Sequence, residues 1–430
     1  MAEIRPIRAW RYNPGISENI EELTSPLFDV VSEKQRMALY NNPYNSIHLS
    51  VPMGKDPAIN ARQTLQRWKD EKVILQDNLP GIYVYYQYFR LPGQSKEFCR
   101  KGFICHIRAY DWNENVILRH ENTIPKAVND RIKLLERTEL HASATHGLYT
   151  DESHDLEKYL DEAIQNPIYD VEDYQGVRDV SAVIHDAKVI QHFIEILKDK
   201  KVILADGHHR YEGSLAYRLQ KQKESTGQEG HNFHLMYLTN TESDDLRILP
   251  THRLISNLPS FDQDTIIKKF EEHFIIKPIP DADTINEIIH GKPWAFGVIF
   301  KDRAIKIRLK PESLEFMTWK FPDEIKKLDL TVLHYFVIEQ VLGITGKDQR
   351  SSEYISFDRS FSDCHAKVLT GEAQMALITQ EISIEDVKRV CKSGYTMPQK
   401  STYFYPKVIC GFLFSSIKED EFQTPDYSRF

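Results

Sequence analysis

The chain has 430 residues, of which 41% are hydrophobic and 27% charged, so it can bury a core and is not disordered. Its net charge of -8 lacks the basic excess that is typical of a dedicated nucleic-acid binder. No apolar run is long enough to span a membrane, and the first residues lack the apolar core of a signal peptide. The five cysteines include no C-x-x-C pair, so we expect reduced thiols and a cytoplasmic location.

The first predicted elements are a pair of strands and a helix. Residues 82–90 are dense in β-branched and aromatic side chains, which indicates a strand. Residues 102–110 predict its antiparallel neighbour, because the Pro92-Gly93 pair between the two segments favours a turn. Charged and aliphatic residues at helical spacing then predict a helix over 125–138.

A helix–strand–turn–helix unit follows. Residues 186–199 place apolar side chains on one helical face, and residues 201–205 read as a short buried strand. The turn at 206–209 leads into a second predicted helix over 211–223. Another strand is expected at 233–238.

The pattern of predicted elements changes after residue 255. An amphipathic helix at 264–273, a Pro-rich link at 278–280 and two strands at 294–300 and 304–309 predict a small α+β subdomain or insertion. We therefore divide the chain into an N-terminal core, this subdomain and a C-terminal segment that packs back on the core, at 1–255, 256–325 and 326–430.

The C-terminal segment predicts two helices. One covers 329–342, and the other starts after the N-cap Ser383 and ends at Gly394. Two strands are expected at 401–405 and 407–414, and the last ten residues read as a loose polar tail. Strands and helices scattered along the whole chain favour the α+β class.

The segment 205–211 reads Ala-Asp-Gly-His-His-Arg-Tyr and carries the strongest chemical signal. A strand ends here, Gly207 permits a tight turn and a helix starts. The exposed amides and the dipole of a helix N-terminus attract anions. Arg210 can hold two phosphate oxygens with its planar guanidinium. The segment therefore predicts a phosphate site.

The other polar side chains of this segment can move protons. Asp206 can orient a histidine, accept a proton or hold a metal, and His208 and His209 can titrate near neutral pH. The alternative is that Asp206 caps the helix and the histidines are surface groups. Adjacent histidines at a turn point apart and do not suit one zinc ion, so we predict no metal ligands in the protein. The alternative is a divalent ion held by a single histidine together with Asp206. Magnesium held mainly by a phosphorylated substrate is the more plausible metal hypothesis.

A second signal lies at 397–407, which reads Met-Pro-Gln-Lys-Ser-Thr-Tyr-Phe-Tyr-Pro-Lys. Lys400, Ser401 and Thr402 offer one ammonium and two hydroxyls ahead of an aromatic strand, which suits a phosphate or a carboxylate. No glycine-rich loop precedes the lysine, so the segment is not a Walker A motif. A strand edge that carries a basic residue is the alternative.

Two weaker signals remain. His252 and Arg253, with Thr251 before them, repeat the His-Arg pair of the first segment. Asp29 lies in a short apolar run, where a carboxylate is either a satisfied structural group or a general base with a raised pKa. Read alone, each signal favours a structural role.

These segments together resemble the bacterial and archaeal family called domain of unknown function 1015. The resemblance runs in order through nearly the whole chain and rests on Ile4–Ala9, Phe28–Ser32, Asn42–Asn45, His120–Thr123, Gly147–Tyr149, Ala205–Glu212, Leu249–Leu254, Leu328–His334 and Met397–Lys407. The Asp-Gly-His-His-Arg segment is also similar to that of the ParB/sulfiredoxin-fold free serine kinases. The resemblance implies a ParB/sulfiredoxin-like mixed core with additional strands and helices.

The implied function is phosphoryl transfer in serine metabolism, as an O-phosphoserine phosphatase or a reversible serine kinase, with magnesium and ADP or ATP as cofactors. The residues that would act in catalysis are Asp206, His208, His209 and Asp29. Those that would bind phosphate or substrate are Gly207, Arg210, Glu212, Thr251, His252, Arg253, Lys400, Ser401 and Thr402.

Two other classes stay open. One is a ParB-like regulator that binds nucleotide and DNA, although the net charge of -8 and the lack of a basic recognition helix argue against it. The other is a non-catalytic protein that binds a phosphorylated metabolite. We expect a small phosphate ester as the partner and no membrane or nucleic acid, and a homodimer is compatible with the sequence.

Overall fold

A computed structural model describes residues 2–222, 225–398 and 400–422. The chain folds into two compact units. The first unit comprises Met1–Arg119, Thr123–Leu246 and Pro406–Phe430, and the second comprises His120–Asn122 and Arg247–Tyr405.

The first unit is built on a mixed sheet of nine strands in the described part of the chain. The strands of this unit before residue 247 are β1 (Ile4–Arg5), β2 (Trp10–Tyr12), β3 (Ile74–Gln76), β4 (Ile82–Arg90), β5 (Glu97–Arg108), β6 (Ile117–Leu118), β7 (Leu140–His141), β8 (Thr145–Tyr149), β9 (Tyr169–Glu172), β10 (Arg178–Ile184), β11 (Val202–Asp206) and β12 (Phe233–Asn240). The sheet order is β6-β11-β8-β12-β5-β4-β10-β9, with β1 paired to β5. Antiparallel pairing dominates, while β12–β8 and β11–β6 are parallel.

Both faces of this sheet are covered, which explains the nearly continuous apolar sequence of β4. Ile82, Val84 and Tyr86 pack on one side in one core cluster, whereas Tyr83 and Tyr85 pack on the other side in a second cluster. The alternation follows from the two-residue period of a strand. The helices of the unit before residue 247 are α1 (Glu33–Leu39), α2 (Ile47–Ser50), α3 (Pro57–Asp70), α4 (Pro125–Thr138), α5 (Glu157–Ala163), α6 (Ala187–Lys198) and α7 (His208–Lys221).

The second unit contains a six-stranded antiparallel sheet in the order β15-β17-β16-β19-β14-β18, among the residues that are described. The strands of the second unit as a whole are β13 (Arg247–Leu249), β14 (His252–Ile255), β15 (Phe274–Ile279), β16 (Ala295–Ile299), β17 (Ala304–Leu309), β18 (Ile355–Asp358), β19 (Met375–Ile378) and β20 (Tyr403–Tyr405). Its helices are α8 (Gln263–His273), α9 (Ile285–Ile289), α10 (Asp323–Lys326), α11 (Asp329–Val332), the π-helical segment Leu333–Val341, α12 (Phe361–Thr370) and α13 (Ile384–Ser393).

The chain then returns to the first unit. There β21 (Ser415–Ser416) pairs with β7, and α14 (Glu419–Phe422) ends the described chain. Most of the predicted last ten residues lie outside the described residues, as does the end of the helix predicted over 211–223. The structure groups the chain differently from the predicted three parts, because 256–325 and 326–405 contribute strands to one sheet.

The α+β class is confirmed, because 37% of the described residues are helical and 25% are in strands. The predicted strand pair β4–β5, helices α4, α6 and α13 and the hairpin β16–β17 all form. Ser383 accepts a hydrogen bond from the Asp386 amide, and Gly394 ends α13 in the left-handed conformation. Local capping chemistry therefore sets these helix ends without help from the rest of the fold.

Two local predictions are wrong. The link expected at 278–280 overlaps β15, where Pro278 is tolerated because β15 is an edge strand. Residues 407–414 form a loop rather than a strand, with Gly411 at a φ of 114°. The helix predicted at 329–342 does form, and past Val332 it continues as a π-helix.

Candidate functional site in the first unit

The site begins where β11 ends. All five residues of β11 are buried, and its pairing with β8 is irregular between Leu204 and Asp206, so Asp206 lies opposite His146. A bulge of this kind bends the strand and redirects the next side chain. It turns the Asp206 carboxylate toward other polar groups of the same unit instead of leaving it in the regular ladder.

Gly207 makes the turn from β11 into α7. Its φ is 88°, in the left-handed region, and a Cβ here would lie 2.6 Å from Thr145 Cγ2 and 2.8 Å from Arg210 Nη2. Only glycine fits this conformation and this space without strain. The helix starts at His208, earlier than predicted, and no side chain caps it. Its first amides and its dipole are therefore available to attract an anion.

Asp206 is held between two cations. Its Oδ1 accepts a hydrogen bond from Lys407 Nζ, and its Oδ2 accepts one from Arg210 Nη2 at 2.9 Å. All three side chains are buried. Burial by itself raises the pKa of Asp206, but the charges of Lys407 and Arg210 outweigh that effect and hold the pKa well below its usual value. The carboxylate stays ionised at neutral pH and is a weak proton acceptor.

Asp206, Lys407 and Arg210 together form the Asp206 ion group, and Arg210 also lines a pocket. Its Nη1 donates to the Ala144 carbonyl and, at 3.2 Å, to Ser143 Oγ. The pocket has a cavity volume of about 40 Å³. Its polar lining consists of Ser50, Arg131, His141, Ser143, Arg210, Ser214 and His234. Leucine and alanine side chains form the rest of the wall, so the polar groups converge between apolar side chains.

Arg131 of α4 brings a second guanidinium to the pocket. Its Nη1 donates to the Ser50 carbonyl at 2.8 Å, and its Cζ lies 4.4 Å from the centroid of the Phe28 ring. Among the described residues it forms no ion pair, and its buried Nε has no hydrogen-bond partner. Burial and the charge of Arg210 lower its pKa to about 10, so it is still a cation at neutral pH.

The pocket imidazoles add no charge. Burial lowers the pKa of His141 to about 4 and that of His234 well below its ordinary value. Both nitrogens of His234 are engaged, one with Thr145 Oγ1 at 3.0 Å and one with Ser214 Oγ at 2.7 Å. These histidines are neutral polar groups that orient the hydroxyls of the wall.

The predicted catalytic residues take different places. His208 is buried at the start of α7. His209 accepts a hydrogen bond from the Ile124 amide at 3.0 Å through Nε2, and its ring lies edge-on to Phe28 with 6.3 Å between centroids. Asp29 is exposed on the turn that contains Phe28. The Phe28 ring thus contacts both His209 and Arg131, which places the Asp29 turn beside the pocket.

Glu212 takes no part in this pocket. Its carboxylate accepts a hydrogen bond from Trp112 Nε1 at 3.1 Å and lies 3.6 Å from Arg119 Nη1. Glu212 is not among the residues that line the pocket. The predicted binding role of Glu212 therefore has no support from its contacts.

The remaining predicted residues belong to the second unit. His252 and Arg253 lie in β14, inside the six-stranded sheet, and both are buried. His252 Nδ1 accepts a hydrogen bond from the Thr379 amide at 3.2 Å, and Arg253 Nη1 donates to the Thr251 carbonyl. Arg253 is fully buried, and burial lowers its pKa to about 9 despite the opposing charge of Glu121.

Lys400, Ser401 and Thr402 do not act as one group. Lys400 is exposed at a φ of 58°. The Ser401 amide donates to Glu121 Oε1 at 3.2 Å, and Thr402 Oγ1 lies 2.8 Å from His120 Nε2. The hydroxyls of Ser401 and Thr402 are buried or half-buried within their own unit, whereas the ammonium points to solvent.

Sequence reasoning missed Lys407, Arg131 and the Ser143 side chain. Lys407 lies inside the second motif, where the two hydroxyls after Lys400 favour that lysine instead. Arg131 lies inside the helix predicted over 125–138, whose pattern assigns it no role in a site. Spacing alone indicates neither cation, because both reach the site through contacts between segments that are far apart in sequence.

The described residues contain no group of three or more His, Cys, Asp and Glu side chains that could hold a metal ion. Nor does any helix among them have the length and apolarity needed to cross a membrane. A magnesium ion at this site would have to be bound mainly by phosphate oxygens of a substrate or nucleotide.

Several solved structures are similar to the chain. A conserved hypothetical protein from Pyrococcus furiosus is 13% identical, with a TM-score of 0.38, and the match covers 74% of this chain and 97% of that one. A free serine kinase in complex with AMP is 13% identical, with a TM-score of 0.38, covering 74% and 93%. SbnI with a C-terminal truncation, from Staphylococcus aureus, is 12% identical, with a TM-score of 0.37, covering 73% and 87%. No curated protein matches the chain significantly in sequence.

The fold and the site together define an α+β protein with a buried ion group at the start of a helix and a small polar pocket beside it. Residues 4–331 match the family described as "Protein of unknown function (DUF1015)". The chain belongs to this family, as its sequence motifs predicted.

Proposed function

We propose that the protein catalyses phosphoryl transfer in serine metabolism, with O-phosphoserine or serine as its substrate. The observation that carries the proposal is the Asp206 ion group at the uncapped start of α7. Asp206 compensates one of the two cations, Lys407 and Arg210, so the group keeps one net positive charge beside the helix dipole. Such preorganised positive charge is what stabilises a transferring phosphoryl group.

In this proposal the amides at the start of α7 bind the phosphoryl oxygens. Lys407 and Arg210 supply the positive electrostatic field that stabilises the charge of the phosphoryl group. Asp206 fixes both cations and does not act as the base, because its pKa is held well below its usual value. The base is Asp29, which is exposed on a turn that contacts His209 and Arg131 through Phe28. His209 transfers a proton between the attacking serine hydroxyl or water and the oxygen of the leaving group.

The direction of transfer decides the second substrate. A phosphatase would pass the phosphoryl group of O-phosphoserine to water and release serine and inorganic phosphate. A reversible kinase would pass it to a nucleotide, and the magnesium ion and the nucleotide would then enter as one complex. Free serine kinases bound to AMP and ADP are among the similar structures, so AMP and ADP are the nucleotides to try first.

The test is a turnover assay with purified protein, O-phosphoserine and magnesium, with and without AMP or ADP, in which phosphate and serine are followed. Phosphate release without nucleotide would identify a phosphatase, and nucleotide-dependent loss of O-phosphoserine would identify a reversible kinase. We expect H209A to lose most of the turnover, whereas H290A, which changes an exposed histidine of the second unit, keeps it. Absence of turnover under every condition would refute the proposal.

A further inference from the structure

We infer that the pocket beside Arg210 binds the α-carboxylate of the amino-acid substrate, and that Arg131 is the residue that recognises it. The inference rests on the proposed function for the identity of the substrate. It assigns a second anion site, separate from the phosphoryl site at the start of α7, and it names a binding residue that no sequence motif contained.

The charge of the pocket is the first argument. Arg210 is already paired with Asp206, whereas Arg131 forms no ion pair among the described residues. Asp29 and Asp130 lie close enough for their charges to act on Arg131, but both are exposed and neither pairs with it. A largely buried guanidinium without a counterion is costly, and an anionic ligand would remove that cost.

The geometry of Arg131 is the second argument. Ser50 occupies Nη1 and the Phe28 ring covers one face of the guanidinium, so the group is held in place. Nε has no hydrogen-bond partner, and the hydrogen bond to Ser50 uses Nη1, which leaves Nη2 on the same edge for a ligand. A carboxylate can accept from both of these nitrogens at once, which is the preferred bidentate pairing of arginine.

The size and the lining select a small monoanion. The cavity volume is about 40 Å³, room for about three water-sized groups, which admits a carboxylate but not a larger anion. Arg131 offers one uncompensated charge, which matches a carboxylate better than a doubly charged phosphate. The hydroxyls of Ser143 and Ser214 line the same pocket and can bond to the amino group or to the second carboxylate oxygen.

The experiment compares two ligands that differ only in the carboxylate. O-Phosphoserine and O-phosphoethanolamine are titrated calorimetrically into the full-length protein without magnesium or nucleotide. We expect the wild type to bind O-phosphoserine at least tenfold more tightly. R131M should bring the two affinities together, and R137M, which changes an exposed arginine of the same helix, should leave the tenfold ratio intact.

The ratio decides the result. If R131M weakens both ligands equally or leaves the ratio unchanged, Arg131 does not recognise the carboxylate and the inference fails. If R131M does not fold, R131K replaces it, because lysine keeps the charge and loses the fork; the ratio should then shrink, and an unchanged ratio overturns the inference.

Binding of L-serine separates this inference from the proposed function. A protein that shows no phosphoryl transfer but binds L-serine in an Arg131-dependent way would refute the proposed function and support the pocket. A protein that turns over O-phosphoserine at the same kcat/KM in R131M and wild type would do the reverse.

Discussion

The dipeptide His-Arg occurs in both units, as His209-Arg210 in the first and His252-Arg253 in the second. The first pair follows a short apolar segment, and the second pair begins one. In the first unit the pair starts α7, where Arg210 meets Asp206 and the pocket. In the second unit the pair lies within β14, where neighbouring strands surround it on both sides. The helix start leaves amides and side chains available to a ligand, whereas the amides of the strand form hydrogen bonds within the sheet.

The comparison also concerns charge. Arg210 shares a carboxylate with Lys407, while Arg253 has no ion pair among the described residues, and its Nε and Nη2 lack hydrogen-bond partners. A buried charge that is paired depends on its partner, and a buried charge that is not paired weakens the fold. The two arginines should therefore respond in opposite ways to substitution.

The largest effect is expected from D206A. Removing the carboxylate leaves Lys407 and Arg210 buried without a counterion, which should cost about 3–5 kcal/mol of unfolding free energy. Urea denaturation followed by circular dichroism would measure it. D264A removes an exposed carboxylate of the second unit and should change stability very little. A loss below about 1 kcal/mol in D206A would contradict the described ion group.

The second-largest effect concerns the turn at Gly207, which places His209-Arg210 at a helix start, whereas His252-Arg253 lies in a strand. G207A forces an alanine into a φ of 88° and into contact with Thr145 and Arg210, and should cost about 2–3 kcal/mol. G176A is the matched control, because Gly176 also has a positive φ of 73° but no atom within 4 Å of its added Cβ. It should cost about 1 kcal/mol. Equal losses in the two variants would mean that Gly207 is needed only for its backbone conformation.

A smaller effect of opposite sign is expected in the second unit. R253M replaces an unpaired buried guanidinium by an apolar side chain of similar length, and the unfolding free energy should stay the same or rise by up to about 2 kcal/mol. Urea denaturation again provides the measurement, with R359M as an exposed-site comparison. A loss larger than about 2 kcal/mol would show that Arg253 has a stabilising partner that its hydrogen bonds do not reveal.

The smallest effect is a change in pH dependence. The pKa of Asp206 is lower in the folded state than in the unfolded chain, so it stabilises the protein above the unfolded pKa of about 3.9, and this stability is lost as the pH falls toward the folded pKa. K407M removes the stronger of the two cations that depress it. The unfolding free energy of K407M should therefore fall less steeply than that of the wild type between about pH 5 and pH 3. A parallel fall in both proteins would show that Lys407 does not set this pKa.

Sequence patterns predicted the elements that local chemistry controls. The aromatic strand β4 and its neighbour β5 follow from β propensity and a Pro-Gly turn, and α13 follows from its own caps. The strand end, the turn at Gly207 and the helix after it were equally visible, because these residues are contiguous. Family membership was visible for the same reason, since its motifs are short local segments.

Tertiary structure decided which charged groups meet. Nothing in the local sequence indicates that Lys407 rather than Lys400 pairs with Asp206, because that pairing joins residues about two hundred positions apart. The same holds for Arg131, which reaches the pocket only because α4 packs beside α7, with Gly213 leaving room for the Arg131 Cβ. Sequence by itself therefore determined the fold class and the strand–turn–helix unit around Gly207. The partners, the burial and the resulting charge of the site come from long-range packing, which no local pattern encodes.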